Sequence, residues 1–422
     1  MVCDVGSFFK PCNLFNFFNN SVHTGNPVLI DFIRDKIRRD GPVTFAWFME
    51  QALYHPEHGY YSSGRCAIGR GGDYFTNVSV GPLFGRLLAA QFAEMWESLG
   101  RPDDFTVVEQ GAHHGDFARD VLEAVRENSP EFFGALRYRI IEPFPILQER
   151  QMHALDAFRE KITWKKSLDE LEPFCGVHFS NELLDAMPVH LISKLDDWQE
   201  RLVEESGDGF AFVTKSISDE ILCRRLEKIP SHAVRVYETE VNLAALDWVE
   251  HVAQKLTRGY VLAVDYGYSR DKFYAPHRAT GTLQCYAEHR TVASPLDQVG
   301  HVDISAHVDW TSVVERAEEC GLTLNGFTDQ HHFVAGVISR LWPNDFAQET
   351  NPQTRRALQT LLHPEFLGTA FQFLALSRNA SDAQLSGFKF AREPRAALGL
   401  WATTKKPSRR NARALCCFPY LN

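Results

Sequence analysis

The stretch VVEQGAHHGDFARDVL, from Val107 to Leu122, decides the fold of this chain. An apolar run ends in an acid, a short turn follows between two glycines, and an amphipathic helical pattern begins near Asp116. A strand that turns through glycines into a helix is typical of nucleotide-cofactor sites, because a helix N-terminus offers free N–H groups to an anion. The adjacent histidines, His113 and His114, equally suit metal binding or acid–base catalysis. The stretch by itself leaves both interpretations open.

Short apolar runs alternate with helical patterns around and beyond this stretch. We predict helices over 116–127 and through ILQERQMHALDAF, and strands over 105–109, 138–142, 162–164, 177–182 and 260–267. Apolar strands separated by helices predict a mostly parallel sheet with helices on both faces. The predicted fold class is therefore α/β.

Composition and pattern divide the chain into four segments. We predict a poorly ordered leader over 1–26, a helical lead with a glycine-rich loop over 27–103, an α/β core over 104–404 with insertions at about 190–245 and 268–320, and a basic tail over 405–422. Long ordered loops inside a compact protein are usually functional, so we expect the glycine-rich loop to cover a ligand.

Charge and cysteine content exclude several classes of protein. The 422 residues include 44 Lys and Arg against 54 Asp and Glu, a net charge of −10, which argues against binding nucleic acid or an anionic membrane. The nine cysteines include no CxxC pair, so neither a disulfide framework nor a zinc cluster is predicted. No apolar run approaches the ~20 residues of a membrane span. We therefore predict a cytoplasmic protein, and the sequence is compatible with a homodimer.

The turn after the first core strand distinguishes two kinds of cofactor. A dinucleotide fingerprint needs G-x-G-x-x-G, which GAHHGD matches poorly. A methyltransferase loop reads E-x-G-x-G-x-G, and Glu109, Gly111 and Gly115 occupy its fixed positions, with His113 at the middle glycine. Small Ala112 lets the backbone approach a ligand, and the acid can balance a positive amino group. We therefore predict S-adenosylmethionine rather than NAD as the cofactor.

Polar residues follow the other predicted strands, at the sheet edge where ligands bind. Glu142 is placed to accept hydrogen bonds from ribose hydroxyls. Asn181 is predicted to serve both the cofactor and the methyl acceptor, and Glu182 and Asp265 are predicted catalytic carboxylates. An arginine acceptor would need such carboxylates, whereas a hydroxyl acceptor would need a base near neutral pKa, for which His113 or His114 is the candidate.

Two H-x-D units in HVDISAHVD, at 301–309, resemble metal-ligand spacing. A third convergent ligand is not evident from the sequence, and adjacent histidines on a tight turn are expected to splay apart. We predict no metal site, and we expect one of the rings of His113 and His114 to face the acceptor and the other solvent or the sheet edge.

A series of motifs over about residues 42–330 resembles the MidA-like methyltransferases, a family that includes a mitochondrial protein arginine methyltransferase. The matching motifs are ALYHPEHGYYSSG, IGRGGDYFT, PLFG, VVEQG, IIEPFPILQERQ, SNELLDAMPVH, VDYGYSRDKFY, GTLQCY and DISAHVDW. The resemblance implies a Rossmann-like class I methyltransferase core with inserted acceptor-pocket segments. It also implies that the loop carrying Gly72, Asp73 and Thr76 closes over the cofactor.

Two positions depart from the pattern of that family. GAHHG stands where the family usually has G-P-G-R-G, and Val78 and Ser79 stand where it usually has Pro-Glu. The first change replaces a permissive glycine by a bulky side chain, and the second removes a carboxylate. The sequence therefore leaves three functions open: methylation of protein arginine, methylation of a small-molecule hydroxyl group, and a non-enzymatic assembly role on the same fold.

Overall fold

The computed structural model describes residues 25–64, 77–231, 234–287, 290–341, 351–381 and 383–400. Residues 1–24 of the predicted leader, the predicted covering loop with Gly72, Asp73 and Thr76, and the predicted basic tail 405–422 lie outside the described residues.

Helices and strands alternate through most of the described chain. The helices are α1 (Pro27–Asp40), α2 (Phe45–Tyr54), α3 (Leu83–Ser98), α4 (Asp116–Asn128), α5 (Pro130–Ala135), α6 (Pro145–Ala154), α7 (Glu220–Leu226), α8 (Leu243–Lys255), α9 (Arg270–Phe273), α10 (Trp310–Glu319), α11 (Gln330–Leu341), α12 (Pro352–Leu362) and α13 (Pro394–Ala397). The strands are β1 (Val43–Thr44), β2 (Phe105–Gln110), β3 (Leu136–Ile141), β4 (Ile162–Lys165), β5 (Phe174–Asn181), β6 (His190–Lys194), β7 (Trp198–Ser206), β8 (Gly209–Ser216), β9 (Tyr237–Val241), β10 (Leu256–Tyr268), β11 (Gln284–Ala287), β12 (Arg290–Thr291), β13 (Asp303–Ser305), β14 (Val308–Asp309), β15 (Thr323–Asp329) and β16 (Phe371–Arg378).

The central sheet has the strand order β15-β16-β10-β5-β2-β3-β4, with the short β14 paired to β10. β4, β3, β2, β5 and β10 are parallel to their neighbours in this row, and β16 is antiparallel to both β10 and β15. The predicted α/β, Rossmann-like fold class is confirmed.

Both faces of the central sheet are buried, as a parallel sheet requires. The side chains of β2 alternate between the two faces, so Val107 packs in the core under α3, α4 and α11, whereas Val108 packs in the core under α8 and α10. Phe117 of α4 stacks on Phe179 of β5, with ring centroids 4.5 Å apart. The amphipathic pattern after the glycine turn therefore corresponds to α4, which covers the central strands.

Two smaller antiparallel sheets carry most of the remaining strands. One contains β1, β6, β7, β8 and β9, and the other has the order β12-β11-β13. Phe45 and Phe48 of α2 pack with Val203 of β7 and Ile304 of β13. The N-terminal segment thus joins both smaller sheets, and the pairing of β1 with β7 was not predicted from the sequence. In the described ranges, no helix has the length and apolar character that crossing a membrane needs.

Candidate functional site

The chain order of the central strands reverses direction between β2 and β5. β3 and β4 lie on one side of β2, whereas β5 and β10 lie on the other. Ligands of open α/β sheets bind outside the carboxyl ends of the strands at such a point. A cavity of about 810 Å³ opens there, and each of the four loops after β2, β3, β4 and β5 lines it.

The loop after β2 keeps the backbone conformation of a three-glycine turn. Gly111 and Gly115 have φ of 85°, and His113, between them, has φ of 46°. Positive φ is uncommon for residues other than glycine, so His113 occupies the backbone conformation that the middle glycine would favour. Ala112 is buried between them, and Gly115 precedes the first residue of α4. Gly111, Ala112, His113 and the N-terminus of α4 all line the cavity, so the loop fits a nucleoside cofactor with an anionic end.

The two histidine rings of this loop lie against each other rather than splaying apart. Their centroids are 3.8 Å apart, and both rings line the cavity. The prediction that they diverge was wrong, because it did not include the left-handed backbone at His113. Burial and the nearby Arg150 guanidinium lower the pKa of His114, whose Nε2 lies 3.3 Å from Arg150 Nη1. Across the described ranges, no three His, Cys, Asp or Glu side chains come together as metal ligands would.

Glu142 follows β3 and brings a nearly buried carboxylate to the cavity. Its Oε1 accepts a hydrogen bond from Phe144 N (3.1 Å), and its Oε2 accepts one from Gln151 Nε2 (3.0 Å). Burial raises the pKa of Glu142 to about 7, and these two hydrogen bonds act in the opposite direction. A carboxylate held in this way at the end of the second core strand fits the predicted ribose site.

Glu109 lies beneath the loop and is absent from the residues that line the cavity. Its Oε2 accepts a hydrogen bond of 2.6 Å from the hydroxyl group of Tyr138, and burial raises its pKa to about 7. The structure therefore separates this acid from Gly111 and Glu142, although the sequence grouped the three as cofactor ligands. Its observed contact joins β2 to β3 below the turn.

Asn181 and Glu182 follow β5 and line the cavity. Asn181 Nδ2 donates to Glu182 Oε1 (2.9 Å), and Asn181 Oδ1 accepts from Asn77 Nδ2 (3.2 Å). Glu182 also has a positive φ, 52°, which turns the chain sharply at the end of the strand. Burial raises the pKa of Glu182 to about 8, and the charges of Asp265 and Asp303 act in the same direction.

Asp265 belongs to β10 but does not line the cavity, although the sequence grouped it with the catalytic carboxylates. Its Oδ2 accepts hydrogen bonds from the backbone N–H groups of Leu183 (3.1 Å), Leu184 (2.8 Å) and Asp185 (3.2 Å). This carboxylate therefore supports the turn that follows Glu182.

Two helices outside the predicted site supply further walls of the cavity. Tyr54 of α2 donates its hydroxyl hydrogen to Ala186 O (3.0 Å), and Trp248 of α8 donates Nε1–H to Gln110 Oε1 (3.0 Å). Both aromatic side chains line the cavity. Local sequence patterns do not identify these two side chains, because each contacts a residue more than 100 positions away and lies in an ordinary buried helix. Gly72, Asp73 and Thr76, which were predicted to cover the cofactor, lie outside the described residues.

A mostly parallel sheet, a glycine-type turn at its switch point and an acid after the next strand define a Rossmann-like enzyme that uses a nucleoside cofactor. The chain belongs to a family of S-adenosyl-L-methionine-dependent methyltransferases, whose model matches residues 87–328. It is an S-adenosylmethionine-dependent methyltransferase, so the predicted cofactor and enzyme class are confirmed and the non-enzymatic alternative is not supported.

Known relatives extend the similarity over most of the chain. A Burkholderia thailandensis protein solved with S-adenosyl-homocysteine bound is 31% identical, with a TM-score of 0.76 over 86% of this chain and 94% of that one. The Drosophila melanogaster protein named protein arginine methyltransferase NDUFAF7 homolog, mitochondrial, is 26% identical over 405 residues, 88% of this chain and 89% of its own. Its human counterpart is 25% identical and covers 88% of each chain.

The names of these relatives also correct one prediction. We predicted a cytoplasmic location because the sequence suggests neither a disulfide framework nor a membrane span. The Drosophila and human relatives are named as mitochondrial proteins, which contradicts that prediction. The prediction was wrong because cysteine content indicates a reducing environment, and a reducing environment does not identify a single compartment.

Proposed function

We propose that this enzyme transfers a methyl group from S-adenosylmethionine to the side chain of an arginine in a protein. The observation that carries the proposal is a group of buried carboxyl groups around the turn after β5, of which Glu182 lines the cavity. Burial raises the pKa of Glu182, Asp185 and Asp265, and carboxyl groups of the same cluster raise the pKa of Glu182 and Asp185 further. Among the residues that the structure describes, none of these three has a Lys, Arg or His ion-pair partner.

A cationic acceptor would complete this arrangement. Buried carboxylates are costly without a compensating charge, and an arginine guanidinium remains charged at any physiological pH. Its arrival beside Glu182 would favour ionisation of the carboxyl group, because an opposite charge lowers the pKa of an acid. The names of the Drosophila and human relatives, both protein arginine methyltransferases, support the same acceptor.

The reaction asks the protein for alignment and removal of one proton. S-adenosylmethionine supplies an activated methyl group, so the acceptor nitrogen forms a bond to the methyl carbon as the carbon–sulfur bond breaks. Glu182 is placed to orient the guanidinium and to accept the proton that the nitrogen loses. Asn181 holds Glu182 in place through the hydrogen bond from its Nδ2. Asp265 contributes indirectly by supporting the turn after Glu182.

The substitution Glu182→Gln tests the acceptor. We expect kcat/KM for an arginine-containing protein substrate to fall by roughly 10²–10⁴-fold, as for loss of a general base, while the dissociation constant for S-adenosylhomocysteine stays unchanged. The wild-type kcat/KM should rise with pH through about 8, where Glu182 ionises, and the variant should lose this limb. Glu57→Gln, the same change at an exposed site, is the control. Full activity of Glu182→Gln would exclude the assigned role.

A small-molecule hydroxyl group is the second candidate acceptor. His113 and His114 line the same cavity, and burial keeps the pKa of His114 below its usual range, as suits a neutral base. Digestion and mass analysis of proteins incubated with the enzyme and the methyl donor would distinguish the two. Methylated arginine supports the first candidate, whereas unmodified protein together with a methylated hydroxyl compound supports the second.

A further inference from the structure

Gln151 is a fully buried amide on α6 that connects three strands of the central sheet. Its Nε2 donates to Glu142 Oε2 (3.0 Å) and to the backbone oxygen of His113 (2.8 Å). Its Oε1 accepts a hydrogen bond from Trp164 Nε1 (2.9 Å). Glu142 follows β3, His113 follows β2, and Trp164 lies on β4.

We propose that Gln151 is a positioning residue of the cofactor site, which holds the Glu142 carboxylate and the His113 turn at the spacing that the ribose and the methionine end of S-adenosylmethionine require. Gln151 does not itself line the cavity, so it acts through these two partners. Because Trp164 fixes the amide oxygen, the amide nitrogen must point toward the two acceptors. A polar side chain with 0% exposure that satisfies three partners is costly to replace.

The amide also affects the charge of Glu142. In the described chain, the carboxylate of Glu142 accepts hydrogen bonds only from Phe144 N and Gln151 Nε2. Both bonds favour its ionised form, against burial, which disfavours it. Besides Glu142, the acidic, basic and histidine side chains that line the cavity are Glu50 on α2, His113 and His114 after β2, Asp116, Arg119 and Asp120 on α4, Lys166 and Asp169 after β4, Glu182 after β5, and Asp247 and His251 on α8. Arg150 contacts His114 from α6.

The substitution Gln151→Met separates this role from simple packing, because it keeps the length of the side chain and removes its donors. We measure the dissociation constant of S-adenosylhomocysteine from about pH 5 to 9. For the wild type, affinity should rise as pH increases through about 7, where Glu142 ionises and can accept from the ribose hydroxyls. In Gln151→Met, the midpoint should move upward by about one pH unit or more, with about a tenfold weaker affinity below it.

Two further readouts accompany this titration. At about pH 9, where Glu142 is ionised in both proteins, affinity should return to within about threefold of wild type. KM for S-adenosylmethionine should rise while kcat changes by less than about threefold, because the hydrogen-bond partners of the Gln151 side chain do not include Asn181 or Glu182. Gln148→Met is the matched control. Gln148 lies one turn earlier on α6 and donates to the backbone oxygen of Glu142 rather than to its carboxylate. The midpoint of the affinity titration should therefore be the same in Gln148→Met as in the wild type.

A folded Gln151→Met variant with the wild-type midpoint would overturn the proposal, as would an equal shift in Gln148→Met. If Gln151→Met shows no cooperative unfolding transition, Trp164→Phe replaces it. This change leaves the amide donor present but frees its orientation, so we expect a smaller upward shift of the midpoint. A folded Trp164→Phe variant with an unchanged midpoint would then refute the proposal.

Discussion

His113 adopts a backbone conformation that costs free energy for any residue with a Cβ. A left-handed φ disfavours L-residues by roughly 1–2 kcal/mol relative to their usual conformations. The residue nonetheless holds φ at 46°, between two glycines at 85°. The sequence predicted a modified cofactor loop from glycine spacing alone. The contact between the two rings escaped prediction because spacing says nothing about the direction of side chains.

Replacement of His113 by glycine should relieve this conformational cost. We expect His113→Gly to raise the free energy of unfolding by up to about 1 kcal/mol, since relief of strain exceeds the entropy that glycine adds to the unfolded chain. Affinity for S-adenosylhomocysteine should be unchanged or higher, and turnover of the acceptor should change. Urea unfolding and calorimetry measure these effects.

His114 provides the matched control for this substitution. Its φ is not positive, so His114→Gly gains nothing from relief of strain and should lose about 0.5–1 kcal/mol of stability. Equal destabilisation by both substitutions would show that the conformation of His113 carries no cost. Stoichiometric zinc or iron that disappears with both histidines would show instead that the pair binds a metal.

The turn after β5 illustrates how one element is supported by another. Glu182 stands in a left-handed conformation, and the next three N–H groups converge on Asp265 of the neighbouring strand. Asp265 of β10 therefore supports the turn that places Glu182 in the cavity, although no residue of β10 lines the cavity. A carboxylate that accepts several backbone hydrogen bonds is strongly constrained in position.

Loss of this carboxylate should affect stability more than cofactor binding. Asp265→Ala removes the acceptor of four backbone N–H groups, the three that follow Glu182 and that of Tyr266. We therefore expect the free energy of unfolding to fall by about 3–5 kcal/mol and most methyl transfer to be lost. Asp265→Asn retains one accepting oxygen and should cost less. The S-adenosylhomocysteine dissociation constant should stay within about threefold of wild type in any variant that folds. Intact stability in Asp265→Ala would disprove the support role.

The elements that local patterns specify were predicted well, and the walls of the cavity were not. The β2 strand and the α4 helix follow from an apolar run, a glycine turn and an amphipathic repeat, which are all encoded within about 25 residues. The wall at Tyr54 depends on a contact with Ala186, 132 positions away. Asp265 was predicted to follow a core strand, and it lies within β10, which continues to Tyr268. Its hydrogen bonds depend on the turn after β5, which the sequence does not specify.

Buried acids make the stability of the whole molecule dependent on pH. Burial raises the pKa of Glu109, Glu142 and Asp265 to about 7 and that of Glu182 to about 8. Each folded pKa lies above the ordinary value, so the folded state holds protons that the unfolded state has already released. Their contribution to stability is therefore complete below about pH 4 and is lost as pH rises through about 7–8.

We expect the melting temperature of the cofactor-free protein to fall as pH rises from about 5 to 8. His178 and His307 oppose this trend up to about pH 6.5, since burial lowers their pKa values to about 3 and about 4 and the folded state excludes their charged forms. Above that pH, the acids alone set the slope among these groups. Differential scanning calorimetry at a series of pH values measures the slope. Glu109→Gln removes one titrating group outside the cavity and should reduce the slope, and a slope unchanged by this substitution would contradict the assignment.

Trp248 gives the enzyme an intrinsic optical reporter. Its indole lines the cavity while its Nε1–H is held by Gln110, at the end of the first core strand. A nucleoside that enters the cavity displaces water from beside this ring, so the fluorescence emission of the indole should change in proportion to occupancy. Trp248→Phe should remove that change, which separates it from the signals of the other tryptophans. Binding can therefore be followed by stopped-flow fluorescence in the unlabelled protein.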